Sequence, residues 1–406
     1  MPKKRLLILI LTFLVVGIFG TLVALYARGY RLDQENLQIS PNGILVIKSA
    51  PDGSQVYING ELETATNATL PLAPGIYDIS VRKEGYRQWN KRLTIEKEIV
   101  TEATAHLFRN SPSLSAITFS GIINPVPSRD YTKLSYVIAP SADGNALEES
   151  EGLWVTENIN LPLGFSREPR RITDGDLTKA SWEWSPDGRQ ILLGSGLSVY
   201  LLDSGSFTPQ GQRVNVAAQK DDILAEWEQE EKLRKTAQID NLPNELKDLL
   251  DRKTSGFIFS PDEDMILYTA SGSATLPPEL IKQLPGSSTQ KEDRNIELGN
   301  TYIYDIKEDR NFLIDEDGDS LVIEGGFPTG VIQRRLTWYA TSRHVILAEP
   351  NEITIMDYDG TNRQTVYSGF YSAPHAYPTL SLDRLLILTN LGADSKTPDL
   401  YSLSIK

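Results

Sequence analysis

Residues Leu6 to Ala27 read LLILILTFLVVGIFGTLVALYA, an uncharged apolar run interrupted only by Thr12, Gly17, Gly20 and Thr21. A helix crossing the ~30 Å hydrocarbon layer needs roughly 20 such residues, and threonine and glycine are tolerated there. The run therefore predicts one transmembrane helix over 6–27. Lys3, Lys4 and Arg5 precede it, which favours a cytoplasmic tail over 1–5, although Arg28 and Arg31 on the far side weaken that bias. A cleaved signal peptide would carry an apolar region of about 7–15 residues ending in a small-x-small site. Here the run is longer, and Leu25-Tyr26-Ala27 puts a bulky leucine at −3, so an uncleaved anchor is expected.

Beyond a linker over 28–42 the pattern changes to short alternating segments. Ile44 to Lys48 is β-branched and apolar, and Gln55 to Ile58 leads into Asn59-Gly60, the dipeptide favoured in two-residue type I′ hairpins. Pro74-Gly75 marks a further turn before Ile76 to Arg82, which alternates with period two. Gly85-Tyr86, Trp89, a strand over Lys91 to Ile95 and a last one near Thr101 to Phe108 complete a β-sandwich over 43–108. The sequence Pro51-Asp52-Gly53-Ser54, with Val56 to Gly60, Leu72 to Tyr77 and Lys83 to Tyr86 in order, resembles the PEGA domain. That family is named for a Pro-Glu-Gly-Ala segment, here Pro-Asp-Gly-Ser. The resemblance implies a surface or envelope accessory module without catalysis, and no ligand.

From 112 to 406 a second pattern repeats. Trp182-Glu183-Trp184-Ser185-Pro186-Asp187-Gly188 and Phe257-Ile258-Phe259-Ser260-Pro261-Asp262-Glu263 are its clearest copies. Ser128-Arg129-Asp130 and Ser381-Leu382-Asp383 read as two more, and Leu336 to Leu347 as a degraded fifth. Each predicts strand, tight turn, strand, because proline presets φ and aspartate closes the turn. A further strand follows each, as in Val199 to Asp203, Tyr302 to Asp305 and Ile353 to Asp357. A unit of about four strands is the size of a propeller blade. The repeat resembles the WD-repeat-like blades of TolB-type β-propellers, which implies an all-β ring of five or six blades, the sixth hidden or completed by 112–120 closing the ring.

Two insertions break the rhythm. Residues 219–253 predict helices, with Ile223, Leu224, Trp227 and Ala237 along one stripe and Pro243 dividing off a second helix, Asn244 to Arg252. Trp227, set among Glu226, Glu228, Glu230 and Glu231, is the candidate partner contact, since tryptophan is enriched at binding hot spots. A tryptophan so placed more often pins an insertion to its own domain. Residues 271–300 are rich in Ser, Pro and Gly and predict a long loop.

Charge and chemistry narrow the function. The first 32 residues contribute +5 against −14 for the whole chain, leaving −19 beyond them. Such acidity disfavours nucleic-acid binding and close approach to anionic lipid. There is no cysteine, which removes thiolate metal sites, redox centres and cysteine nucleophiles. No Gly-x-Ser-x-Gly elbow, Walker loop or dinucleotide fingerprint occurs. The three histidines, His106, His344 and His375, read as isolated surface or turn residues. Asp315-Glu316-Asp317-Gly318-Asp319 is calcium-like in composition but misses the EF-hand spacing, so it reads as a solvated turn. The chain is thus expected to be non-enzymatic, without cofactor or metal, and held to the membrane by its first helix. It would bind a protein partner in the cell envelope. The alternatives are a cell-wall glycan, stacked on Trp89, Trp154, Trp338, Tyr339 and Phe370-Tyr371, or, with least support, a hydrolase.

Overall fold

The computed structural model describes residues 3–27, 30–32, 39–140, 151–157, 168–282, 289–323, 334–392 and 397–406. Outside the described residues lie the start of the 1–5 tail, residues 28–29 and 33–38 of the linker, 283–288 of the 271–300 segment, and the side chain of Asp319. The chain is mostly β with three α-helices among the described residues. It divides into two units, one of Met1–Phe108 with Gln283–Lys291, the other of Arg109–Lys282 with Glu292–Lys406.

In the first unit, α1 runs over Lys3–Ala27. Its side chains are described for 10–24, where all are exposed, and among the described residues no helix is long and apolar enough to cross a membrane. Two sheets follow. One orders Ala68–Leu72, Gly43–Ala50 and Val100–His106; the other orders Glu61–Ala65, Gln55–Ile58, Gly75–Arg82 and Trp89–Ile95. Period-two burial along Gly43–Ala50 and Trp89–Ile95 brings Leu45, Ile47, Val56, Val81, Trp89, Leu93 and Ile95 into one core. Asn59 and Gly60 both take positive φ, 50° and 89°, as a type I′ turn requires. The Pro-Asp-Gly-Ser turn closes on a buried hydroxyl knot: the Ser54 hydroxyl accepts from Ser49 Oγ (3.0 Å) and donates to Pro51 O (2.8 Å), and Ser54 N donates to Thr66 Oγ1 at 3.0 Å. The strands over Glu61–Ala65 and Ala68–Leu72 are not legible in the sequence, because almost every residue of the first is exposed and the apolar face of the second is only Ala68, Leu70 and Leu72, half-buried on the core.

The second unit contains five main sheets among the described residues. Sheet 1 holds Ile123–Pro127, Lys133–Ile138, Gly152–Glu157 and Arg170–Thr173; sheet 2 holds Ser181–Trp184, Gln190–Ser195 and Ser198–Asp203. Sheet 3 holds Thr254–Phe259, Met265–Ala270, Thr301–Asp305 and Arg310–Asp315. Sheet 4 holds Arg334–Trp338, His344–Glu349, Glu352–Asp357 and Gln364–Ser368, with Leu321–Val322 parallel at its edge. Sheet 5 holds Ala376–Pro378, Arg384–Thr389 and Asp399–Ser404, and its fourth strand is Ser113–Ala116, paired Ser113 to Ser404 and Ala116 to Tyr401. Residues 112–120 thus supply the last strand of the fifth sheet and do not found a sixth.

Neighbouring sheets share cores. Val137, Leu153 and Ile172 of sheet 1 pack with Trp182, Ile191 and Leu202 of sheet 2. Leu267, Ile303 and Phe312 of sheet 3 pack with Leu336, Trp338 and Val345 of sheet 4. Tyr377, Leu386 and Leu400 of sheet 5 pack with Leu134 and Tyr136 of sheet 1. Tryptophan N–H groups tie the first two pairs: Trp182 Nε1 to Ser135 Oγ at 2.8 Å, Trp184 Nε1 to Val126 O at 3.0 Å, and Trp338 Nε1 to Ile258 O at 3.2 Å.

The repeated turn has one geometry. Ser128, Ser185 and Ser260 each donate the backbone N–H to the carbonyl five residues on (2.8–2.9 Å), and each hydroxyl donates to the Asp carboxylate two residues on (2.6–2.7 Å). The fourth residue of the turn sits at positive φ, at Tyr131, Gly188 and Glu263 (55°, 65°, 61°); glycine alone takes that conformation without strain. In sheet 4 the same backbone bonds form with Tyr339 in the serine's place and Thr341 in the aspartate's. In sheet 5 the sequence reading was displaced by two residues. Pro378 pairs with Leu385, and it is Thr379, through Oγ1 to Arg384 O at 3.1 Å, that stands where the serine stands elsewhere. Ser381 and Asp383 mimic the local motif without its register.

Residues 219–253 form two helices, as expected, while 271–300 is more than a loop. The second helix, α3 (Asn244–Arg252), is core: Leu246, Leu249 and Leu250 are buried on the face of sheet 3 against Ile266, Tyr268 and Tyr302. The 271–300 segment contains paired strands, Ala274–Thr275 and Asn295–Ile296, with Leu276 and Ile296 buried. Arg294 and Leu280 N both bind the fully buried carboxylate of Asp309 (3.2 and 3.0 Å), which fastens the segment to the hairpin beyond Thr301–Asp305. Serine and proline content conceals this, because the anchoring acid lies outside the segment.

Ser185 is buried, and its oxygen accepts from Gln190 N at 2.9 Å while its hydroxyl donates to Asp187. Ser185→Ala should therefore lower the unfolding free energy by about 1–3 kcal/mol, the cost of stranding buried partners. Denaturant titration checks this, and a loss under about 0.5 kcal/mol would show that the turn is held by backbone alone.

Candidate functional site

The first helix of the 219–253 insertion, α2, spans Lys220–Ile239 and has no buried residue. Its half-exposed positions are 223, 224, 227, 231, 235, 238 and 239, a stripe spaced three and four apart that keeps one side toward the protein. The C-terminal half of the helix, with the exposed Arg234 reaching round from beside the stripe, rests on the tight turns of three successive sheets. Glu231 pairs with Arg129 of the sheet 1 turn, Arg234 Nη1 reaches Pro186 O of the sheet 2 turn at 3.5 Å, and Gln238 Nε2 donates to Glu263 of the sheet 3 turn at 2.8 Å. Lys235 Nζ lies 5.6 Å from the Phe257 ring centre.

Trp227 lies on the same stripe one turn before Glu231, half-exposed, and belongs to none of the buried clusters. Ile223 and Leu224 accompany it. Ala237, read as part of this stripe, is exposed, because the contacts with the turns put Lys235 and Gln238 on the inner side instead. The structure thus brings Trp227 together with Ile223 and Leu224, and separates it from Ala237.

The acidic segment at 315–319 is organised around an arginine. Arg334 bonds Asp315 Oδ2 at 2.6 Å, Glu349 Oε1 at 2.8 Å, Ser320 Oγ at 2.9 Å and Asp317 O at 3.1 Å. Asp315 is buried to 9 % exposure, so this is a desolvated ion pair where a solvated turn was expected. Among the described residues no group of three or more acids or histidines is placed to hold a metal ion.

The histidines are built in. His344 is 2 % exposed, with Nδ1 2.7 Å from Thr341 Oγ1 and Nε2 3.4 Å from Asp357 Oδ1. Asn362 Nδ2 donates to the other Asp357 oxygen at 3.0 Å. The relay wires the sheet 4 turn to the end of the strand Glu352–Asp357. His375 Nδ1 is 2.7 Å from Tyr377 Oη. Burial, and then the Arg335 guanidinium, push its pKa down to about 4, so it is neutral at physiological pH. Arg335, itself 3 % exposed, bonds the Tyr131 hydroxyl and lies 5.6 Å over that ring, linking sheet 4 to sheet 1. Neither arginine was singled out by sequence, because their partners are distant in the chain.

Of the aromatics suited to a glycan, Trp89, Trp338, Tyr339 and Tyr371 are buried. Trp154 is half-buried against the sheet 5–sheet 1 core, and Phe370 is 47 % exposed.

Residues 42–111 match the PEGA domain family, so a PEGA domain occupies that part of the first unit. No curated protein matches the chain. Solved structures similar to it include TolB from Acinetobacter baumannii, at 12% identity over 81% of this chain and 59% of that one, with a TM-score of 0.20. A putative TolB from Agrobacterium tumefaciens is 14% identical over 69% of this chain and 78% of that one, TM-score 0.21. An acylaminoacyl peptidase is 14% identical over 71% of this chain and 39% of that one, TM-score 0.20. The chain thus spans about three-fifths of the first of these. At such scores the fold rests on the chain's own sheet pairing.

Two outcomes follow from the buried charges. Arg334→Ala leaves Asp315 desolvated without its guanidinium and should cost about 3–5 kcal/mol; thermal melts with and without a chelator should show the loss in the variant and no chelator effect in the parent. Asp305 is 1 % exposed; its Oδ1 accepts Lys307 N and Glu308 N at 2.9 Å, and its Oδ2 has no hydrogen-bond partner among the described residues. Burial raises its pKa above the ordinary 3.8. A raised carboxyl favours the protonated fold, so its stabilisation is present below that ordinary value and is lost as pH rises through the folded one. Asp305→Asn should therefore be at least as stable as the parent at pH 7, with the gap closing as pH falls toward about 4.

Proposed function

We propose that this chain is a membrane-anchored, non-catalytic recognition protein of the cell envelope, with the PEGA domain as membrane-proximal spacer and the five sheets of the second unit forming a five-bladed propeller that binds a protein partner. The observation that carries the reading is α2, a 20-residue helix laid on the turns of three sheets with no buried residue of its own. A helix polar enough to lack a core, yet carrying Trp227 on its inward stripe beyond the last sheet contact, is poorly explained by stability and well explained by a partner.

Anchoring is supported by the uncharged run Leu6 to Ala27 within α1 and by Thr21, whose hydroxyl donates to Gly17 O at 2.8 Å within the helix, as a hydroxyl in hydrocarbon must. The tail over 1–5 is cytoplasmic in this reading and everything from 28 on is extracytoplasmic. Catalysis has no support in the sequence, and the buried state of most of the aromatic set weakens the glycan alternative.

Removing 219–253 whole would strip α3 from the core, so the test is confined to α2. A photocrosslinking residue at position 227, introduced into the full chain in native membranes, should give a discrete protein adduct, while the same residue at the exposed position 237 should not. Equal labelling at both positions, or none at 227, would defeat the reading. Protease added to intact, wall-stripped cells should digest everything beyond α1.

A further inference from the structure

We infer that the partner segment seated on the N-terminal half of α2 is an amphipathic one rich in lysine and arginine; this rests on the partner-binding reading above. Three observations carry it. First, the polar contacts that hold α2 to the turns begin at Glu231, while Ile223, Leu224 and Trp227, only partly covered, lie further back along the same stripe. They are the large apolar side chains of that half, they are half-exposed, and none joins a buried cluster. An apolar seam left partly wet gains about 25 cal/mol for each further Å² covered.

Second, the seam is bordered by one sign of charge. Between Lys220 and Glu231 stand Asp221, Asp222, Glu226, Glu228, Glu230 and Glu231 against the single base Lys220. Glu230 and Glu231 are engaged with Arg234 and Arg129. Asp221, Asp222, Glu226 and Glu228 have no ion-pair partner among the described residues. Third, three of the four cations of α2, Lys232, Arg234 and Lys235, fall in the half that lies on the sheets, and only Lys220 stands at its start. The helix therefore presents its neutralised half to its own domain and its unneutralised half outward. Opposite charge across a rim raises association rate and excludes acidic competitors, and an amphipathic segment seats its apolar side on such a stripe.

The test uses the full chain in nanodiscs of zwitterionic lipid, with empty nanodiscs as the blank. A fluorescent amphipathic Lys/Leu peptide of about 18 residues and its Glu/Leu counterpart are titrated by anisotropy. The Lys/Leu peptide should bind above the blank and the Glu/Leu peptide should not. Trp227→Ala should weaken binding about tenfold or more, and Glu226→Lys with Glu228→Lys should weaken it similarly and flatten its salt dependence, while melting stays within a degree or two of the parent. Binding unchanged in both variants, or equal binding of the Glu/Leu peptide, overturns the inference. An adduct from position 227 whose crosslinked segment lacks lysine and arginine overturns it too, but leaves the partner reading standing; no adduct at all sinks the partner reading itself.

Discussion

The second unit depends on one strand pairing. Ser113–Ala116, the first strand after the PEGA domain, bonds to Asp399–Ser404 near the far end of the chain. A sheet edge exposes unpaired N–H and C=O groups, and this pairing covers the Asp399–Ser404 edge of sheet 5. Here it also brings sheet 5 beside sheet 1, where Tyr377 and Leu400 pack on Leu134 and Tyr136. Sheets 1 and 2, sheets 3 and 4, and sheets 5 and 1 each share a buried core, so a sheet in any of these pairs loses apolar cover without its neighbour. Arg335, reaching Tyr131 from sheet 4 to sheet 1, adds a polar tie that requires both ends of the unit to be in place.

On this frame function falls to what the turns carry. The serine–aspartate turns spend their hydrogen bonds internally, Ser185 to Asp187 and Ser260 to Asp262, so they are stiff, and their remaining side chains and carbonyls can hold something else. Three of them hold α2 through Arg129, Pro186 and Glu263. A rigid platform under a helix with no core of its own keeps that helix formed without burying it, which is what a recognition element needs.

Sequence reveals what is local. The hairpin at Asn59-Gly60 and the turns at Ser128, Ser185 and Ser260 are short, and their residues fix φ and hydrogen bonding within a few positions. The sheet 4 turn is legible only as a degraded copy, because Tyr339 and Thr341 stand where serine and aspartate stand elsewhere. The sheet 5 turn was misregistered because Ser381 and Asp383 copy the spacing two residues late, and only the pairing of Pro378 with Leu385 discloses Thr379. Arg334 and Arg335 were invisible for a different reason: their meaning lies in Asp315, Glu349 and Tyr131, which the fold alone brings near. Of the candidate site, Trp227 and its acidic neighbours could be read directly. That the helix lies on three turns could not, since Arg129, Pro186 and Glu263 belong to separate repeats.

The closing strand also sets an order of events during synthesis. The ribosome delivers Ser113–Ala116 early, and its partner Asp399–Ser404 only after the whole second unit has been made. Throughout that interval sheet 5 does not exist and sheet 1 lacks the neighbour that buries Leu134 and Tyr136. The nascent chain must therefore wait with an open strand and a bare apolar face. Any holding factor has its whole opportunity in that wait, and loses it when Asp399–Ser404 arrives.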